Sequence, residues 1–256
     1  LKQASIAKLD RVCRKLDLQP GDHLLEIGSG WGGLAIHAAR HYGCRVTTTT
    51  ISREQYSLAM ERVEQAGLSD RVTVLCEDYR RLNGHYDKLV SIEMIEAVGH
   101  AYFDTYFKKC SELLKPDGLM LLQSITIAEQ RYAAAKRSVD FIQRYIFPGG
   151  CLPSVPVLGD AVARNTDMRI RDVEDIGPHY ATTLRRWRQR FMSRLEAVRA
   201  CGYPDEFIRM WEYYLCYCEG GFRERAIGTV QVLLGKPLNR SEALLPTLRA
   251  AEERAA

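Results

Sequence analysis

No run of this chain approaches the roughly 18–20 apolar residues that a membrane-spanning helix needs, and nothing at its start reads as a secretory leader. Low-complexity tracts, internal repeats and Pro/Ser-rich linkers are also missing, which favours one α/β unit over a string of modules. Cysteines are present at 13, 44, 76, 110, 151, 201, 216 and 218, but none forms a C-x-x-C pair or clusters with histidines. That spacing excludes a zinc site, and no metal is expected. Most of the cysteines have apolar neighbours and read as small buried hydrophobes in a reducing cytosol. Cys216 and Cys218 point to different faces of a predicted helix. The chain starts at Leu1 rather than methionine, so an upstream segment is expected.

Acidic residues are nearly missing from "LRRWRQRFMSRLEAVR" (184–199), where Glu196 stands alone among arginines. Apolar residues at 184, 187, 191, 195 and 198 give this stretch a single helical face. Such a run is either a solvated helix or a surface for anionic lipid.

Apolar and β-branched runs that alternate with helical spacing occupy the first half. Strands are expected at 23–28, 44–51, 71–78, 86–93 and 119–127. Between them come helices at 32–43 closed by Gly43, at 52–67 capped by Ser52, and at 101–118 with its turn. A first helix, capped by Ser5, stops at Pro20-Gly21. This order implies a parallel sheet with helices on both faces. The regularity then breaks. Residues 128–150 look helical, 168–176 return as an edge strand, 178–222 hold two long helices, and 226–235 form a last strand.

In "LLEIGSGWGG", Gly28, Gly30 and Gly33 satisfy G-x-G-x-x-G between a strand and a helix. Nucleotide dehydrogenases use the same pattern, but they need an acid at the end of the second strand to hold a ribose. Here that strand ends "TTTTIS". Glu26 lies before the first glycine, where it can orient the loop or meet a ligand ammonium. "CEDY" places Asp78 and Tyr79 after the third strand, where they can accept from an adenine amino group and pack on its ring. This set suits S-adenosylmethionine better than a nicotinamide. "SIEMIEAVGH" adds Glu93 and Glu96 to an apolar run, and a carboxylate there calls for a partner or a task.

"LEIGSGWGGLAIHAA", "TTTTISREQ", "EDYR", "MIEAVG", "YIFPGGCLPS", "HYATTLRRW" and "YYLCYCEGGFR" together resemble the cyclopropane-fatty-acyl-phospholipid synthase family, which includes the mycolic-acid methyltransferases. The likeness runs from about residue 4 to about 235. It implies an α/β fold: a Rossmann-like seven-stranded methyltransferase sheet with helical insertions that form a lipid pocket. It implies a single domain over 1–256, with a cofactor half at about 1–127 and lid and substrate insertions at about 128–155 and 178–222. The cofactor residues it implies are Glu26, Gly28, Gly30, Gly32, Thr50, Ile51, Gln55, Asp78 and Tyr79. The implied reaction adds a methyl group from S-adenosylmethionine to a cis double bond. A proton is then lost from the cation and a cyclopropane closes.

The resemblance also implies a bound bicarbonate as the base, held through Glu96, Tyr180 and Cys218, with Gln123 where the family has histidine. Glutamine cannot carry a proton. Glu93 receives no role. The family's first cysteine belongs to a segment upstream of Leu1. "DFIQRYIFPGG" and "MWEYYLCYC" are candidate walls of the acyl pocket. The expected partners are unsaturated phospholipid acyl chains and a transient membrane surface, with a homodimer allowed for and no nucleic acid. The expected location is cytoplasmic, peripheral to the inner face of the membrane. A methyl-branched lipid product and methylation of a small soluble acceptor are the competing readings. A non-catalytic lipid or cofactor binder is the third.

Overall fold

The structure is a computed structural model and describes residues 1–241. All seven expected strands form: β1 (His23–Ile27), β2 (Arg45–Thr50), β3 (Val72–Cys76), β4 (Tyr86–Ile92), β5 (Leu114–Ile127), β6 (Arg169–Asp175) and β7 (Ile227–Gly235). They make one sheet in the order β3-β2-β1-β4-β5-β7-β6. β1 to β5 run parallel, whereas β7 is antiparallel to both β5 and β6. The chain winds outward in both directions from β1 and β4. The crevice at their carboxyl ends is therefore the switch point where α/β sheets bind ligands.

Helices cover both faces. α1 (Lys2–Lys15), α2 (Gly33–Tyr42) and α3 (Arg53–Gln65) bury Val12, Leu34 and Val63 against Leu24, Val46, Leu119 and Leu121 of the sheet. α2 ends on Gly43 at φ 70°, and Ser52 caps α3 by accepting from Gln55 N at 3.2 Å. α4 (Phe103–Leu113) packs on the opposite face, where Phe107 is fully buried with Leu122. Burying a side chain of that size stabilises the fold by about 2–3 kcal/mol.

After β5 come two short helices, α5 (Glu129–Ala135) and α6 (Phe141–Tyr145), the second closed by a capping box from Asp140 and Gln143. α7 (Val155–Asn165) joins α4, and β6 follows it. α8 (Gly177–Met192), α9 (Leu195–Ala200) and α10 (Asp205–Arg223) come last before β7. α8 and α10 pack over Ile125 and Ile227 at the top of the sheet, around Leu184, Leu215 and Phe222.

Four sequence expectations are corrected. Ser5 is not a cap: its N–H already bonds to Leu1 O, and the helix starts at Lys2. α7 was not expected, because Pro156 and Gly159 obscure its periodicity. The 184–199 stretch is not one helix. It breaks after Met192, and Trp187 on its apolar stripe is 47% exposed. The cysteines are free, but only Cys13, Cys44 and Cys110 are fully buried.

Candidate active site

β1 leads into the glycine loop at the switch point. Gly28, Gly30 and Gly32 have φ of 96°, 48° and 77°, a region costly for other residues. A Cβ on Gly28 would lie 3.1 Å from Met94 Cγ, and one on Gly32 would lie 3.2 Å from Ala59 Cβ. A Cβ on Gly30 would meet nothing within 4 Å. Gly30 therefore leaves its backbone open to a ligand, while its neighbours let Met94, beyond β4, and α3 close in. Glu26 is buried and accepts from Thr48 Oγ1 at 2.6 Å. Burial pushes its carboxyl up to about 8.

β2 supplies the next part of the rim. Thr50 Oγ1 donates to Gln55 Oε1 at 2.8 Å, which orients the Gln55 amide, and Ile51 offers an apolar side chain that is 78% exposed. After β3, Tyr79 stands edge-on to Tyr106 at 5.5 Å. The Asp78 carboxylate accepts from Arg80 Nε and Nη2, and these bonds hold it below the usual carboxylate range. An adenine amino group would have to share Asp78 with Arg80. An open glycine backbone, an amide, an apolar rim and a buried carboxyl together fit S-adenosylmethionine.

The two glutamates after β4 part company. Leu119 and Leu121 face the α1–α3 side, so Gln123 does too, while Met120, Leu122 and Ser124 face the α4 side. Glu93 joins the first side: Gln123 Nε2 donates to its Oε1 at 2.7 Å, and the Tyr180 hydroxyl donates to the same oxygen. Glu96 joins the second side: its Oε1 accepts from Ser124 Oγ at 3.0 Å and Ile125 N at 2.5 Å. The two carboxylates straddle β5. Glu96 Oε2 is buried without a partner, and burial raises this carboxyl to about 7, with Glu93 adding repulsion. Burial, together with the negative charge of Glu93, pushes the Tyr180 phenol far above its ordinary value.

Gln123 is fully buried, and it pairs with Gln231 across the sheet, where Gln231 Nε2 donates to its Oε1 at 3.0 Å. Its amide also donates to Tyr180 Oη at 2.8 Å. Both N–H groups are thus spent, and so is the Tyr180 hydroxyl. Of the donors expected to hold bicarbonate, the Gln123 amide and the Tyr180 hydroxyl are already engaged, only the Cys218 thiol is left, and Glu93 would repel an added anion. Bicarbonate therefore does not fit this arrangement.

Cys218 is half-buried beside Tyr180 and Tyr214 in the cover, and burial raises its thiol to about 12, which keeps it neutral. It forms no bond to Glu96 or Gln123. The two candidate wall stretches do meet: Phe141 packs edge-on to Tyr213 at 4.7 Å, and Phe147 approaches Tyr214 at 6.3 Å. Among the described residues no group of acids, histidines and cysteines could hold a metal, and no helix is long and apolar enough to cross a membrane. Sequence reading missed Ser124, Gln231 and the role of Glu93. A lone glutamine inside the apolar run "VQVLLG" was the available signal, since a buried amide needs a partner.

The family model described as mycolic acid cyclopropane synthetase matches residues 1–232. A tuberculostearic acid methyltransferase of Mycobacterium tuberculosis is 43% identical over 231 residues, covering 90% of this chain and 54% of its own. The cyclopropane-fatty-acyl-phospholipid synthase of Escherichia coli is 42% identical over 237 residues, covering 92% and 59%. The chain thus spans little more than half the length of these relatives. The crystal structure of a mycolic acid cyclopropane synthase complexed with SAH and CTAB superposes with a TM-score of 0.85 at 31% identity, over 92% of this chain and 85% of that one. The sheet is the Rossmann-like sheet of S-adenosylmethionine-dependent methyltransferases. The chain belongs to the mycolic acid cyclopropane synthetase family.

Proposed function

We propose that this family member transfers a methyl group from S-adenosylmethionine to the cis double bond of an unsaturated acyl chain, on phospholipid, and closes a cyclopropane. The observation that carries the reading is the pair of carboxylates astride β5, beneath an aromatic cover and beside the glycine loop. When bound, the cofactor supplies an electrophilic methyl on a sulfonium. Gly30, Thr50, Ile51, Gln55, Asp78 and Tyr79 would hold it, with Glu26 near its ammonium. An alkene is a weak nucleophile, so it must be held in line with that methyl. The cation that follows must be kept from water. Phe141, Phe147, Tyr213 and Tyr214 provide apolar walls, and ring faces stabilise positive charge.

A methyl-branched product is the second reading. Gln123, in place of the family's histidine, favours it, because the glutamine cannot relay a proton. We place the protein at the cytoplasmic face of an anionic membrane, with exposed Arg185, Arg186, Arg190 and Arg194 as the attracting charges. The test is mass spectrometry of lipids from cells that express the full-length gene. A gain of one methylene on unsaturated acyl chains supports the reading, and NMR separates ring from branch. Unmodified lipids alongside a methylated soluble amine would sink it.

A further inference from the structure

The reaction proposed above leaves a proton to be removed, and the site holds two carboxylates in different surroundings. We propose that Glu93 is the base that accepts this proton, so that the chain's own carboxylate does the work the resemblance gave to a bound anion. The inference rests on the functional reading above. Donors converge on Glu93 rather than on a gap: the Gln123 amide and the Tyr180 hydroxyl both bond to its Oε1. Gln231 locks the Gln123 amide the right way round for this. Glu93 Oε2 has no hydrogen bond among the described residues and is not sealed away. One oxygen is held and the other is free to receive.

The backbone agrees. Glu93 is held at φ 52°, a left-handed conformation that costs a glutamate free energy and that tends to survive at functional sites. Its N–H bond to Gln123 O at 2.8 Å keeps it there. The next residue, Met94, lies against Gly28 of the glycine loop. Glu93 thus stands between the cofactor rim and the aromatic cover that Tyr180 helps to form. Glu96 is the poorer base. It lies on the far side of β5, its Oε2 is sealed, and burial together with Glu93 favours its protonated form.

In the step, a C–H bond of the newly added methyl breaks. Its electron pair forms the third ring bond to the cationic carbon, and the proton passes to Glu93 Oε2. The acyl chain leaves neutral, and the glutamic acid later returns its proton to water.

The test uses the full-length protein with S-adenosylmethionine and dispersed unsaturated phospholipid. Glu93→Gln keeps size and removes basicity, and Glu93→Gly suits a φ of 52° and vacates the space. We expect Glu93→Gln to lose at least about 100-fold in kcat, with cofactor affinity within about threefold. We expect the wild-type rate to be unchanged in carbon-dioxide-free buffer, and added formate to restore part of the Glu93→Gly rate. An active wild type with a Glu93→Gln variant of similar kcat would overturn the assignment. So would a wild-type rate that collapses without bicarbonate and returns with it. A wild type that binds cofactor yet leaves every double bond intact would overturn the functional reading, and Glu93 with it.

Discussion

Glu26 offers a measurement that needs no substrate. Its side chain is 4% exposed, Thr48 is its hydrogen-bond partner, and its carboxyl is raised from 4.5 to about 8. At about 1.4 kcal/mol per pH unit, a displacement of this size corresponds to on the order of 5 kcal/mol. Its sign follows from proton counting. Between 4.5 and about 8 the folded state holds a proton that the unfolded state has released, so stability falls as pH rises through this window and levels off above it. Glu26→Gln is neutral at every pH and can still accept from Thr48. The variant should match the wild type near about pH 4 and exceed it by up to ~5 kcal/mol near about pH 9. Urea unfolding of both proteins across that range gives the difference curve. Glu96 acts in the same direction, and His23 and His37 in the opposite one, but all three are present in both proteins and cancel. Parallel curves for wild type and variant would refute the burial argument. If a ligand ammonium meets Glu26, cofactor binding at neutral pH should also release a proton. Calorimetry in buffers of different ionisation enthalpy would show this, and the release should vanish in the variant.

Gly30→Val should lose most of its affinity for S-adenosylmethionine while remaining folded by circular dichroism, because its side chain would enter space that no described residue fills; undiminished calorimetric binding would move the cofactor elsewhere. Glu96→Gln should keep turnover and cofactor affinity within about threefold, since the amide oxygen can still accept from Ser124 and the Ile125 N–H on the side of β5 away from Glu93; a loss near about 10²-fold on unsaturated phospholipid would bring Glu96 into the chemistry. Sedimentation with anionic liposomes should weaken as salt rises through the range that screens Arg185, Arg186 and Arg190; equal partition onto neutral vesicles would count against electrostatic attachment.

The sheet was legible because β1 to β4 are short runs rich in apolar or β-branched residues, and Gly43 and Ser52 mark helix ends by local chemistry alone, whereas β5 starts at Leu114, inside the stretch read as helix and turn. The glycine loop was legible for the same reason, since backbone conformation is written in the glycines themselves. What failed was non-local or interrupted. Pro156 and Gly159 hide α7, and nothing in the arginine-rich stretch announces the break after Met192. The separate roles of Glu93 and Glu96 could not be read along the chain. Their separation arises from β5, where Gln123 and Ser124 point to opposite faces and each claims one glutamate.

The Gln123–Gln231 pair also bears on how such a site can change over generations. Replacing Gln123 by histidine puts one N–H and one acceptor nitrogen where the amide supplies two N–H donors and an oxygen, so the ring cannot serve Gln231, Glu93 and Tyr180 together. Each buried group left unpaired costs about 1–3 kcal/mol, a large share of a domain's net stability. A lineage that acquires histidine at 123 must therefore alter 93 and 231 nearly together, or pass through a poorly folded ancestor. The three positions behave as one heritable unit, drawn from the turn after β4, from β5 and from β7 and far apart in the chain. Swapping them as a block between relatives should transplant chemistry that exchanging any one of them would only damage.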